Sequence, residues 1–308
     1  MSFASDTKKE ICHWEPTRDC CRKAEAYGLW LFARGFSLQK CSFVTENGPV
    51  ARRMAQRAAE VAGVVVEVQV SMHRQGEGSY TLAIPGEDQR RQLLEAFGHT
   101  GQELHLRINR ANLENECCLG AFVRGAFLSC GTVTNPQKDY HLEFTGNRFR
   151  LAQDLVTLLE EIEGLRIQPS LTRRKGSCVV YCKDSEQIAD LLTYMGAQNA
   201  AMELMQAKMV KEVRNYVNRT TNFETANIDK TASAAARQIA AIHALEKNPG
   251  LEKLPEDLRE VARLRLENPE MSLREMGETL GISRSGVNHR LKRLLEMSSQ
   301  TALGSSSR

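Results

Sequence analysis

Apolar residues at helical spacing form two short runs near the end of the chain: Leu273, Met276 and Leu280, then Val287, Leu291 and Leu294. Spacings of three and four put each run on one face of a helix. Ser272 and Glu275 make a capping box that opens the first helix. Gly281 supplies the turn with a residue tolerant of positive φ, and Gly277 is small where two crossing helices must approach. Ile282 plugs the corner and Ser283 caps the second helix. The pattern predicts a helix-turn-helix, the unit that sets its second helix into the DNA major groove.

At about 100° per residue, the face opposite the second stripe holds Ser285, His289, Lys292 and Arg293, with Arg284 and Asn288 on its flanks. From Arg284 to Leu295 there are four basic residues and no acidic one. Short polar groups reach base edges while cations attract phosphate, so these six are the candidate DNA-binding residues. One position departs from the usual pattern: Arg290 stands where an apolar residue is common, with Leu291 beside it.

The N-terminal half is doubled. Cys20-Cys21 recurs as Cys117-Cys118 at an offset of 97, and Ala33-Arg34-Gly35 as Ser129-Cys130-Gly131 at 96. Gly78-Ser79-Tyr80-Thr81-Leu82 recurs as Gly176-Ser177-Cys178-Val179-Val180, at an offset of 98. Each copy predicts a helix running into a glycine (Arg18 to Gly35; Glu114 to Gly131), then strand-like segments (Phe36 to Thr45; Thr132 to Phe144). An arginine-bearing helix (Val50 to Ala62; Asn147 to Glu163), a hairpin and a short helix (Glu87 to Phe97; Ser185 to Met195) complete it. Helices mixed with antiparallel hairpins argue an α+β pair with pseudo-two-fold symmetry.

Beyond Gly196 the texture turns helical, with Asn222 to Asn227 polar enough for a linker. The expected organisation is two repeats over residues 1–98 and 99–196, a helical linker over 197–228, an all-α helix-turn-helix domain over 229–297 and a disordered tail over 298–308. Two further helices, one Ala-rich with Ile239, Ile242 and Leu245 on one face, complete a four-helix bundle around the motif.

Apolar content of 42% and charged content of 26% are those of a soluble globular chain. A net charge of +3 is too small to mark a nucleic-acid binder, so attraction to DNA must come from local clustering. Nine cysteines form no C-x-x-C pair and no Cys or His pair sits at zinc spacing; they read as reduced thiols, with no metal or cofactor expected. No segment approaches the length of a membrane span or a signal peptide, and the expectation is a cytoplasmic, nucleoid-associated protein. Paired carboxylates such as Glu160 and Glu161 have no nucleophile or His beside them, which leaves a hydrolase site unsupported.

The doubled helix-to-glycine segments resemble the paired LAGLIDADG helices of homing endonucleases, with Arg124-Gly125-Ala126-Phe127-Leu128-Ser129-Cys130-Gly131 matching in spacing and Gly28 shifted by one relative to Gly35. That resemblance implies an acidic, metal-binding residue before each final glycine. Arg34 and Cys130 stand there instead; an arginine repels Mg²⁺ and one thiol is a poor ligand for a hard cation. A degenerate LAGLIDADG pair followed by a helix-turn-helix resembles the WhiA family of bacterial regulators. Asn218 to Thr231 looks like that family's linker, and Ile282 to Leu291 matches its recognition segment.

The resemblance implies a regulator that binds double-stranded DNA in cell division, chromosome segregation or sporulation, with no enzymatic activity. The alternative is a protein-interaction scaffold with only auxiliary DNA binding, its partner held on the N-terminal domain. Arg74, Arg173, Arg174 and Lys175 at the hairpin tips would line the rim of a LAGLIDADG-type saddle and offer an auxiliary DNA contact, joined by Arg52, Arg53, Arg57, Arg148 and Arg150. Solvated loop tips and helix faces account for the same residues.

Overall fold

The computed structural model describes residues 2–72 and 78–305, with side chains described as far as Gln300. Two compact units are present, Met1–Glu212 and Val213–Arg308.

The first unit opens with α1 (Phe3–His13), then α2 (Asp19–Leu31), β1 (Gly35–Phe36) and β2 (Cys41–Thr45). Helix α3 (Gly48–Ala62), the hairpin β3 (Glu67–Met72) and β4 (Gly78–Ile84), and α4 (Glu87–Ala96) complete the first repeat. The second repeat follows the same order: α5 (Glu116–Cys130), β5 (Gly131–Val133), β6 (Leu142–Gly146), α6 (Phe149–Glu160), β7 (Ser170–Arg174), β8 (Ser177–Cys182) and α7 (Ser185–Tyr194). The two four-stranded antiparallel sheets have one topology, β1-β2-β4-β3 and β5-β6-β8-β7. Their registers correspond: Phe43 pairs with Leu82 in one and Phe144 with Val180 in the other, and all four side chains are buried. The duplicated α+β architecture is thus the one expected. Helix α1 is not; its segment buries only Thr7 and Ile11 and carries too thin a stripe to read as a helix.

Helices α2 and α5 cross at the centre of the unit, and two glycines let them. A Cβ on Gly28 would lie 2.2 Å from the Phe122 carbonyl oxygen, and one on Gly125 would lie 2.2 Å from that of Glu25. Both contacts are with backbone, which cannot swing aside as a side chain would, so only glycine fits at either position.

Beside this crossing lies a buried ion cluster. The Glu25 carboxylate on α2 meets Arg124 of α5 at 3.1 Å, Arg57 of α3 at 3.1 Å and Arg53 of α3 at 3.4 Å. Glu15 reaches the same two α3 arginines at 2.9 and 2.6 Å, and Glu60 also pairs with Arg57. Arg124 donates to the Met195 carbonyl at 2.8 Å, and the Trp14 ring stacks 3.8 Å from its guanidinium. Burial presses the Arg124 pKa down against the pull of Glu25. Arg53 and Arg57, expected among phosphate contacts, therefore hold the interior together. Arg148 is likewise withdrawn, donating to the carbonyls of Leu31, Ala33 and Phe36 at 3.1 to 3.4 Å, where α2 runs out of internal partners. Arg52 and Arg150 remain exposed.

Helix α8 (Gln198–Lys247) begins in the first unit, where the Glu10 carboxylate accepts from the backbone N–H groups of Asn199 and Ala200 at 2.7 and 3.1 Å. Asn222 to Asn227, read as a polar linker, lie within this helix. The second unit packs Ile242 and Leu245 of α8 with α9 (Glu256–Glu267), α10 (Leu273–Leu280) and α11 (Arg284–Ser305). The expected disordered tail is helical through Ser305 in α11, because extending an existing helix costs far less than nucleating one.

Removing the carboxylate in Glu25→Ala leaves three guanidinium groups sharing a site built around its charge. The expected loss is about 3–5 kcal/mol of unfolding free energy, read from urea melts of the full chain. A change below about 0.5 kcal/mol would mean that Glu15 and Glu60 suffice as counter-charges.

Candidate nucleic-acid interface

Each turn residue of the helix-turn-helix has a structural task. Ser272 accepts from the Glu275 N–H at 3.3 Å, and the Glu275 carboxylate accepts from the Ser272 N–H at 2.8 Å, closing the capping box. That bond to the backbone holds the Glu275 carboxyl below the usual carboxylate range. Gly281 ends α10 at φ 67°, a conformation that favours glycine. A Cβ on Gly277 would lie 2.6 Å from the Ile282 carbonyl oxygen, so glycine there sets how closely the turn folds back on α10. Ser283 Oγ accepts from the Gly286 N–H at 3.1 Å and caps α11.

The inward stripes meet as expected. Met276, Val287, Leu291 and Leu294 are buried with Leu258, Val261 and Ala262 of α9. Arg265 of α9 is buried too, donating to the carbonyls of Pro269 and Met271 at 3.2 and 2.7 Å, which fixes the loop entering α10. Arg290, the position that departs from an apolar pattern, lies 3.7 Å from Asp257 at the start of α9. Its charge is answered within the bundle.

All six residues chosen for the reading face (Arg284, Ser285, Asn288, His289, Lys292 and Arg293) are exposed on α11. Two make contacts of their own: Ser285 shares a hydrogen bond with Ser283 at 2.9 Å, and Lys292 lies 3.9 Å from Glu296. Both partners are exposed, so these ties are weak enough to yield to a phosphate or a base.

At the hairpin rim of the second repeat, Arg173, Arg174 and Lys175 are exposed. Lys175 and Gly176 both have positive φ, 47° and 82°, the conformation of a two-residue hairpin turn whose twist suits the flanking strands. The Arg173 guanidinium lies 4.2 Å from the centre of the Phe149 ring, while Arg174 lies 3.9 Å from Glu143. These contacts steady the tip without withdrawing its charge. Arg74 lies outside the described residues.

The glycine-ended termini of α2 and α5 are where a LAGLIDADG enzyme would place its acids. Arg34 is exposed, and burial pushes the Cys130 thiol up to about 12. Lys8 of α1 donates to the Leu128 carbonyl at 3.1 Å. A lysine therefore stands at the end of α5, where a carboxylate and its metal would otherwise be expected. Nothing in the local sequence pattern around Lys8 points to this contact, because α1 carries so thin an apolar stripe.

The family model described as the WhiA C-terminal HTH domain matches residues 217–298, and the one described as the WhiA LAGLIDADG-like domain matches residues 119–214. A probable cell division protein WhiA of Ruminiclostridium cellulolyticum is 38% identical over 306 residues, covering 96% of this chain and 97% of the relative. Its counterpart in Alkaliphilus metalliredigens is 36% identical over 308 residues, covering 96% of each. The crystal structure of full-length WhiA from Thermatoga maritima shares 26% identity at a TM-score of 0.58, covering 97% of this chain and 99% of that one. Two domain matches, relatives that align almost end to end and a full-length structure of the same architecture agree: the chain belongs to the WhiA family.

Proposed function

We propose that this chain is a sequence-specific, double-stranded DNA-binding regulator of bacterial cell division, working at the nucleoid in the cytoplasm. The observation that carries the reading is the exposed face of α11, presented by a capped and close-packed helix-turn-helix. Arg284, Ser285, Asn288 and His289 choose bases; Lys292 and Arg293 position the helix on phosphates. The link to cell division rests on the names of near full-length relatives. Genome-wide immunoprecipitation tests the whole reading, which requires a recurrent sequence motif under the bound peaks.

The N-terminal unit serves as a scaffold without cleavage chemistry. Arg34 follows the end of α2 and Cys130 ends α5, and Lys8 stands beside the second terminus. Among the described residues, no group of three or more His, Cys, Asp or Glu able to hold a metal lies at these ends. Two-metal or shared-metal hydrolysis lacks ligands there. The retained rim of Arg173, Arg174 and Lys175 adds a second, sequence-tolerant contact with the backbone of the same DNA. Joined to the first through one chain, it raises affinity by effective concentration.

Asn288→Ala or His289→Ala should cost about 1–3 kcal/mol on the cognate site and relax preference there. Lys292→Ala should weaken all sequences alike and flatten the salt dependence by about one unit of slope. Unchanged affinity and preference in the first pair would show that another face reads the bases.

Purified protein should leave supercoiled DNA intact with Mg²⁺ or Mn²⁺. Cleavage that disappears in Arg34→Ala would overturn the scaffold reading. Changing Arg173, Arg174 and Lys175 together to Ala should weaken full-chain binding to one promoter fragment at matched salt. Affinity that survives this change would exclude the rim as the second contact.

A further inference from the structure

The cysteine pairs that first exposed the duplication meet in space. Cys20 and Cys21 are the second and third residues of α2, and Cys117 and Cys118 hold the same places in α5. All four sulfur atoms lie within 4.8 Å of one another. Cys21 and Cys118 are buried, while Cys20 and Cys117 are half-buried. We propose that these four thiols form a structural tetrathiolate site for a single zinc ion, clamping the starts of the two central helices together.

The donor set selects the ion. Four sulfurs with no oxygen ligand among them favour a soft or borderline cation, and a tetrahedral sulfur cage is the closed form of a structural zinc site. With Zn–S bonds of about 2.3 Å, the sulfurs of such a cage stand about 3.8 Å apart. The present spread of at most 4.8 Å asks for a contraction of about 1 Å or less, within reach of side-chain rotation. An iron–sulfur cluster, itself several atoms across, would hold its four thiolates farther apart than these thiols stand.

Charge is provided for as well. Four thiolates around one divalent ion leave an excess of about two negative charges. Each helix N-terminus presents about half a positive charge, and the two ends together face this cluster from opposite repeats. Arg18, the residue before α2, brings its guanidinium to 3.5 Å from the Cys117 sulfur. Two helix ends and one guanidinium thus come to about two positive charges. They offset the negative charge that four thiolates would leave around a divalent ion. Binding zinc releases the thiol protons and involves no oxidation or reduction.

The site lies at the helix starts, whereas the glycine-ended termini lie at the other ends of α2 and α5, so its role is to hold the two repeats together rather than to cut DNA. Full-length protein purified under reducing conditions should carry one zinc per chain by elemental analysis. Replacing it with Co²⁺ should give the thiolate charge-transfer bands and the intense ligand-field bands of tetrahedral cobalt. Cys20→Ser combined with Cys117→Ser, which alters the two less buried thiols, should abolish stoichiometric zinc with helicity by circular dichroism preserved. Cys12→Ser, outside the cluster, should keep it.

Loss of a direct ligand should weaken zinc by more than the about 10–100-fold that loss of an outer partner costs. Reduced protein that takes up no zinc from added Zn²⁺ would overturn the proposal. So would full zinc retention in the double variant, or a disulfide joining the two pairs in freshly purified protein. Should the double variant unfold, the Co²⁺ spectrum of the unaltered chain still decides, since octahedral or oxygen-ligated bands would exclude four sulfur ligands.

Discussion

Everything in the N-terminal unit is arranged around the approach of α2 to α5. Gly28 and Gly125 bring the two backbones close enough that a single methyl group on either would collide with a carbonyl oxygen at 2.2 Å. The constraint is reciprocal: the Gly28 position presses on α5, and the Gly125 position presses on α2. Because these glycines are equivalent in the two repeats, the crossing point lies on the pseudo-two-fold axis. Residues near that axis meet their own counterparts.

The same geometry explains a pairing that otherwise looks arbitrary. Glu25 and Tyr27 on α2 correspond to Phe122 and Arg124 on α5, each pair of positions 97 residues apart. The two-fold that carries the Glu25–Arg124 contact onto its counterpart produces Phe122 against Tyr27. The first is an ion pair at 3.1 Å; the second is a tilted aromatic pair with ring centroids 5.4 Å apart. One crossing thus has a charged flank and an aromatic flank in symmetry-equivalent places. The charged flank extends through Arg53 and Arg57 into α3, whereas α6 of the other repeat buries Leu151, Leu155, Leu158 and Leu159. A buried carboxylate shared by three guanidinium groups is costly to separate, and its hydrogen bonds accept few alternative registers of α3 against α2. The duplication has diverged in its interior chemistry while its backbone symmetry has been kept.

Where the sequence was legible, the determining contacts were local. The capping box, the turn glycine and the two apolar stripes of the helix-turn-helix each depend on residues a few positions apart, and they stand as expected. Repeated order was legible for a related reason: matching offsets survive even where residue identity does not. Arg53 and Arg57 are not legible as interior residues because an exposed helix face and a buried ion cluster can use the same residue type. Glu15 and Glu25, which lie outside α3, tell them apart. Arg290 looked like a defect in the motif because its partner, Asp257, belongs to a helix outside it. Helix α1 is not legible in the sequence, since its polar composition gives no strong stripe, and neither is the Lys8 contact with the end of α5.

The cysteines illustrate a different limit. Scanning for metal sites asks for ligand pairs two to four residues apart, and adjacent cysteines fail that test. In a chain folded as two copies around an axis, the relevant spacing is the repeat length itself. Cys20-Cys21 and Cys117-Cys118 open the two helices that touch along the axis, so their equivalence within the sequence becomes proximity in space. The offset that reveals the duplication therefore also names the residues able to share one ligand, provided that they lie on the axis-forming helices. Cys41 and Cys182, which sit in strands of separate sheets, share neither the offset nor the cluster. In such a fold, a repeated ligand type is informative only at positions that the helix crossing brings face to face.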